Sequence, residues 1–240
     1  MLYLGNFKMN EVTGEYVEKL TSKKFEKGTV GLALPYIYID RYASKLKESN
    51  IMVGAENVYY EENGAFTGEI SASMLNGLGC DFVLIGHSER RGLLGETNEM
   101  VHKKVLSALK HKLTPVICVG ETKKEKEEGK TIKVIKHQVK AALKDLYANE
   151  ISGIVIAYEP VWAIGTGLVP TVTDISTVVM IIKSTVAKIF NGENVKVLYG
   201  GSCNDKNVAT LETVPNLDGF LIGGACMDAD KFHTIIGHHS

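Results

Sequence analysis

Residues 153–167 read GIVIAYEPVWAIGTG. The opening five are almost wholly apolar, with three β-branched side chains in succession, Ile154, Val155 and Ile156. A short run without polar alternation is the pattern of a strand buried on both faces, as in a parallel sheet covered by helices. Glu159 closes the run beside Pro160, and the glycines Gly165 and Gly167 follow. A carboxylate in that place is a solvated strand end, a salt-bridge partner or a base kept partly dry for chemistry. What the rest of the chain assembles around it decides between them.

Apolar runs of the same kind recur at residues 2–7, 30–34, 52–55, 81–85, 114–119, 195–199 and 219–222. Amphipathic helical patterns lie between most of them, for example at 98–112, 132–148 and 174–190. Eight βα units joined by short loops predict an α/β fold, a parallel sheet closed into a (β/α)8 TIM barrel. An open doubly wound sheet would use fewer strands and needs a GxGxxG after the first, which here ends in Asn-Phe-Lys. With no linker, low-complexity tract or break in composition, residues 1–240 read as a single domain.

Composition sets the partners. The chain has 45% hydrophobic and 23% charged residues, an ordinary globular balance. Its 27 basic and 28 acidic residues leave a net charge of -1, so no global field draws it to nucleic acid or an anionic membrane. An anionic ligand must then be held by local geometry. The charged stretch at 123–130 reads as a solvated helix start. Cys80, Cys118, Cys203 and Cys226 form no CxxC or Cys/His pattern, so no metal site is expected, and reduced thiols in a cytoplasmic protein are. Met1–Leu4 lacks a basic, long apolar leader, which gives no reading of a signal peptide or membrane span.

On such a barrel the C-terminal strand ends carry the chemistry. Asn6 and Lys8 follow the first strand, spaced to leave it on one side. His87 and Ser88 follow the fourth, in GHSERR, where residues 88–91 open a short helix. A histidine at a helix N-terminus has its cationic form disfavoured, which predicts a neutral donor. Glu159 follows the sixth strand. YGGS (199–202) and IGGA (222–225) follow the seventh and eighth as glycine-rich turns entering helices, where bare N–H groups suit a phosphate. Each turn alone is plain turn chemistry. Together they set a cradle opposite a lysine, a histidine and a carboxylate.

With those residues assembled, the chain resembles the triosephosphate isomerase family over essentially its whole length. The matching stretches are NFKMN (6–10), GAFTGEIS (64–71), GHSERR (86–91), CVGET (118–122), AYEPVWAIGTG (157–167), YGGS (199–202) and DGFLIGGA (218–225). The resemblance implies a cofactor-free interconversion of dihydroxyacetone phosphate and glyceraldehyde 3-phosphate. It implies Glu159 as base, His87 as electrophile, and Asn6 and Lys8 as substrate contacts. It makes Ser202 and the N–H groups of Gly165, Gly223 and Gly224 phosphate binders, Glu89 a buried partner of the rim, and residues 160–170 a closing lid. It also implies a homodimer in which the excursion at 59–71 carries Thr67 to the neighbouring subunit's rim, with Glu69 facing Arg90.

Departures from the family pattern are Phe7 in place of tryptophan, Glu56 in place of glutamine, the trailing hinge Leu168-Val169-Pro170, and a compressed region at 11–34. Other phosphate-binding barrels, whether sugar-phosphate isomerases or aldolases, remain in view. The aldolases need a Schiff-base lysine or metal site that is not evident here. A catalytically dead barrel scaffold is the remaining alternative.

Overall fold

The computed structural model describes residues 1–25 and 28–237. Eight parallel strands close in sequence order: β1 (Leu2–Asn6), β2 (Thr29–Leu34), β3 (Ile51–Ala55), β4 (Phe82–Ile85), β5 (Thr114–Val119), β6 (Val155–Tyr158), β7 (Lys196–Tyr199) and β8 (Gly219–Ile222). Closure is made where Leu2 of β1 pairs with Gly219 of β8. The helices are α1 (Gly14–Thr21), α2 (Tyr36–Glu48), α3 (Ala72–Gly77), α4 (Ser88–Leu93), α5 (Asn98–Lys110), α6 (Lys123–Glu127), α7 (Thr131–Ala142), α8 (Val172–Ile189), α9 (Val208–Glu212) and α10 (Ala229–Gly237). The (β/α)8 barrel expected from the sequence is therefore present. Residues 26 and 27 of the compressed 11–34 region lie outside the described residues.

Two cores explain why the strand runs are apolar throughout. Outward side chains such as Tyr3, Val53, Val83, Ile156 and Val197 pack under the helices. Inward ones, among them Leu4, Phe82, Leu84, Val116, Ala157, Leu198 and Leu221, fill the barrel itself. Strand alternation then sets what stands at the top. Leu2 and Leu4 point inward and Asn6 extends their column, while Val155 and Ala157 lead to Glu159. The barrel's girth is fitted by size: a Cβ at Gly54 would overlap the Phe82 ring, so the bare glycine makes room for it.

Helix starts follow the capping rules. Thr122 and Glu125 form a capping box at α6, as Thr171 and Asp174 do at α8. Helix α8 buries Ile175, Val178, Val179, Ile182 and Val186, one stripe at helical spacing. The structure corrects several boundaries. The helix expected over 132–148 ends at Ala142, because Asp145 takes a left-handed φ of 61° although Leu143 and Leu146 stay buried. Gly153 belongs to a 3-10 turn (Ala148–Gly153), so β6 starts two residues later than its apolar run. The glycine turns do not enter long helices: α9 begins only at Val208, and Gly224–Met227 is a 3-10 turn.

Candidate active site

Glu159 is 2% exposed at the head of its inward column. Its backbone is fixed by donation of its N–H to Val119 O at 2.7 Å. Its Oε2 accepts the Ser88 backbone N–H at 2.9 Å, and its Oε1 lies 2.9 Å from His87 Nε2. His87 caps α4, where its Nδ1 accepts the Glu89 N–H at 3.3 Å. That bond places the neutral ring's proton on Nε2, aimed at the carboxylate.

Burial works against the Glu159 charge, but the His87 imidazole and the Ser88 N–H outweigh it, so its carboxyl lies below the usual range. Burial also disfavours the imidazolium of His87, yet the charges of Glu159 and Glu89 overcome it and raise its pKa above the ordinary 6.5. This corrects the expectation of a depressed histidine: the helix terminus is present, but the carboxylate at 2.9 Å is stronger. The sign follows. A histidine raised in the folded state stabilises fully below its unfolded pKa, and that contribution is lost as pH rises through the folded value. NMR of labelled protein should show His87 titrating above 6.5 when empty. Its midpoint should fall in Glu159→Gln, which removes the carboxylate charge, and an unmoved midpoint in that variant would contradict the pairing.

Lys8 follows β1 in a left-handed conformation, φ 54°, which costs a non-glycine residue of order 1 kcal/mol. Local bonds hold it there: the Lys8 N–H donates to Asn6 Oδ1 at 3.1 Å, and Asn10 Nδ2 donates to Phe7 O at 2.6 Å. The turn sends the ammonium to Glu89 Oε1 at 2.5 Å, with the end of the side chain against Gly223. A cavity of about 330 Å³ lies between these groups. It brings together Asn6, Lys8, His87, Glu159, Gly165, Ser202, Gly223 and Gly224, eight positions singled out from sequence.

Two further positions fall outside that cavity. Glu89 is not buried; its side chain is 45% exposed. Thr67 is exposed on the 59–71 excursion. The excursion is anchored at its base by the Tyr59 N–H bond to Ile70 O and by Glu62, which takes Lys110 at 2.6 Å and His111 at 2.7 Å. Phe66 rests against Tyr59 yet stays 40% exposed. Arg90 is held within its own chain by Glu96 at 2.7 Å.

Two supporting clusters were missed in the sequence. Glu96 and Lys104 are both buried and joined at 2.7 Å, and Lys104 also reaches Asn57 Oδ1. The other Glu96 oxygen accepts the Gly86 N–H, which fixes the turn leading to His87. Breaking such a pair costs roughly 3–5 kcal/mol. Glu121, 1% exposed, accepts from the Trp162 indole N–H at 2.9 Å and from the Tyr158 hydroxyl at 3.2 Å. Lys126 Nζ sits 3.4 Å above the Trp162 ring. The leading end of the 160–170 segment is thus held by the turn after β5 and by α6, while Ser202 Oγ donates to Ala163 O at 2.9 Å. Nothing local distinguishes Glu96, Lys104 or Glu121 from solvated charges, since their partners are set only by folding.

An enclosed carboxylate and imidazole at the C-terminal strand ends, above a glycine-lined cavity, assign the chain to the class of (β/α)8-barrel enzymes. A family model described as triosephosphate isomerase matches residues 1–239. The chain is 42% identical over 241 residues to "Triosephosphate isomerase" of Thermoanaerobacter pseudethanolicus, covering 98% of this chain and 97% of the relative. It is 43% identical over 238 residues to the protein of that name from Acetivibrio thermocellus, covering 96% and 95%. For the one from Clostridium tetani the figures are 41% over 241 residues, 98% and 94%. The chain belongs to the triosephosphate isomerase family. Among the described residues no helix is long and apolar enough to cross a membrane.

Proposed function

We propose that the chain, working as one domain over residues 1–240, interconverts dihydroxyacetone phosphate and D-glyceraldehyde 3-phosphate. Glu159 removes the proton α to the carbonyl and returns it to the neighbouring carbon. His87 and Lys8 donate to the oxygen on which charge develops in the enediolate, and Asn6 orients it. Ser202 and the N–H groups of Gly165, Gly223 and Gly224 hold the phosphate, with Glu89 steadying Lys8. Closure of residues 160–170 keeps water from the intermediate. The observation that carries this reading is the 2.9 Å approach of Glu159 to His87 at the wall of the glycine-lined cavity.

A coupled assay on glyceraldehyde 3-phosphate tests it. The purified protein should produce dihydroxyacetone phosphate without added metal or cofactor, and 2-phosphoglycolate should compete. No turnover by folded protein would remove the isomerase reading and leave a dead barrel.

The same reading includes a cytoplasmic homodimer formed through the 59–71 excursion, supported by the exposure of Phe66 and of Met9, Leu93 and Leu94. Thr67 would then pack at the partner's rim. Sedimentation equilibrium at micromolar concentration should return twice the 26.2 kDa chain mass. A monomer retaining full activity would exclude the dimer.

A further inference from the structure

Glu56 stands immediately after β3, at the wall of a second cavity of about 660 Å³ that it shares with Asn6, Lys8, Tyr36, His87 and Glu89. Its Oε1 is buried and has no hydrogen-bond partner. A carboxylate does not remain in that state without strong compensation, because an unpaired buried charge is costly. The cation that acts on it, Lys8, is already committed to Glu89 at 2.5 Å. Burial and the Glu89 charge together push the Glu56 carboxyl up to about 8, against the weaker pull of the Lys8 backbone amide and ammonium. Where the family has a neutral glutamine, Glu56 is thus largely the neutral acid at neutral pH.

We propose that Glu56 is a positioning residue for Lys8: its neutral acid leaves the Lys8 ammonium directed along Glu89 and Gly223 toward the phosphate cradle, and its carboxylate draws the ammonium back. The inference rests on the reading of Lys8 as a substrate contact. Lys8 is well placed to respond, since its backbone amide meets the Glu56 carboxyl and its side chain is partly exposed. An ionised Glu56 sets a second anion near Lys8 beside Glu89, and both compete with a substrate phosphate for it.

The surrounding groups leave Glu56 identifiable. Tyr36 from α2 and Cys226 from the turn after β8 feel its charge, but burial raises both, Cys226 to about 12 and Tyr36 beyond any working pH. Arg90 and Glu89 from α4 also line the cavity. His87 is raised above 6.5 by Glu159 and Glu89, and Glu56 is not among the charges that act on it.

The test is the dissociation constant of 2-phosphoglycolate between pH 6.5 and 9.5, by calorimetry, for wild type, Glu56→Gln and Lys8→Met. If a bound dianion moves the Glu56 pKa by about one unit, wild-type affinity should fall about fivefold from pH 7 to 9. kcat/KM should fall in parallel, and Glu56→Gln should lose this alkaline decline. The δ-carboxyl carbon of Glu56 should titrate near 8 by NMR. Superimposable profiles for wild type and Glu56→Gln, a flat wild-type profile, or a carboxyl titrating near the ordinary value of about 4.3 would each overturn the inference. Should Lys8→Met bind as tightly as wild type, the Lys8 reading itself is wrong and this one falls with it. Weak binding by Lys8→Met together with matching Glu56→Gln and wild-type profiles removes the Glu56 inference alone.

Discussion

Glu159→Asp lowers kcat by about a hundredfold or more and leaves KM nearly unchanged. Removing one methylene withdraws the carboxylate by about 1.5 Å, and a misplacement of about 1 Å costs of the order of a hundredfold. The backbone cannot follow the shortened side chain. The Glu159 N–H is tied to Val119 O, the preceding carbonyl of Tyr158 accepts from Gly200 N at 2.8 Å, and the Val161 N–H is tied to Glu121 O. KM is spared because the proposed phosphate contacts, Gly165, Ser202, Gly223 and Gly224, lie elsewhere on the cavity wall. An interaction made only in the transition state shows this split between kcat and KM. Steady-state kinetics on protein of wild-type circular dichroism decides it, and turnover within about threefold of wild type (far short of the loss expected for a displaced base) would end the assignment of Glu159 as base.

Gly120→Ala has the second large effect, through the wall behind that base. A Cβ at Gly120 would overlap the Glu159 carbonyl and press on its Cα. The obstacle is backbone, so no rotamer relieves it. Either β6 shifts at its end, losing the bond from Glu159 N to Val119 O, or the turn after β5 moves and carries Glu121 and Gly120 with it. Overpacking of a rigid site costs about 1–3 kcal/mol and more where backbone must move, so a loss of about 3 kcal/mol is expected. The soluble fraction should also lose about a hundredfold in kcat from displacement of Glu159. Gly77→Ala is the control: nothing lies within 4 Å of its Cβ, and the residue ends α3. Urea unfolding compares the two. Equal stability and activity for both variants would show that the turn after β5 does not hold Glu159.

The sequence by itself determined the barrel and most of the site's membership. Eight apolar runs, each too short for a helix and lacking polar alternation, require a sheet covered on both faces, and strand period two then sends Asn6 and Glu159 inward above Leu4 and Ala157. Those rules are local, so they survive without knowledge of the fold. Helix ends were less legible, because the apolar pattern through Leu143 and Leu146 continues past the residue where the backbone leaves the helix. Protonation was not legible at all. His87 looked like a depressed histidine from its place before α4, and Glu56 like an added charge. Only the tertiary structure sets Glu159, 72 positions further along the chain, against His87 and leaves the Glu56 carboxyl buried beside Glu89. The buried pair of Glu96 and Lys104 and the hold of Glu121 on Trp162 belong to the same category. A charge's behaviour is fixed by what stands within a few ångströms of it and by how much water remains, and neither quantity is written in the order of residues.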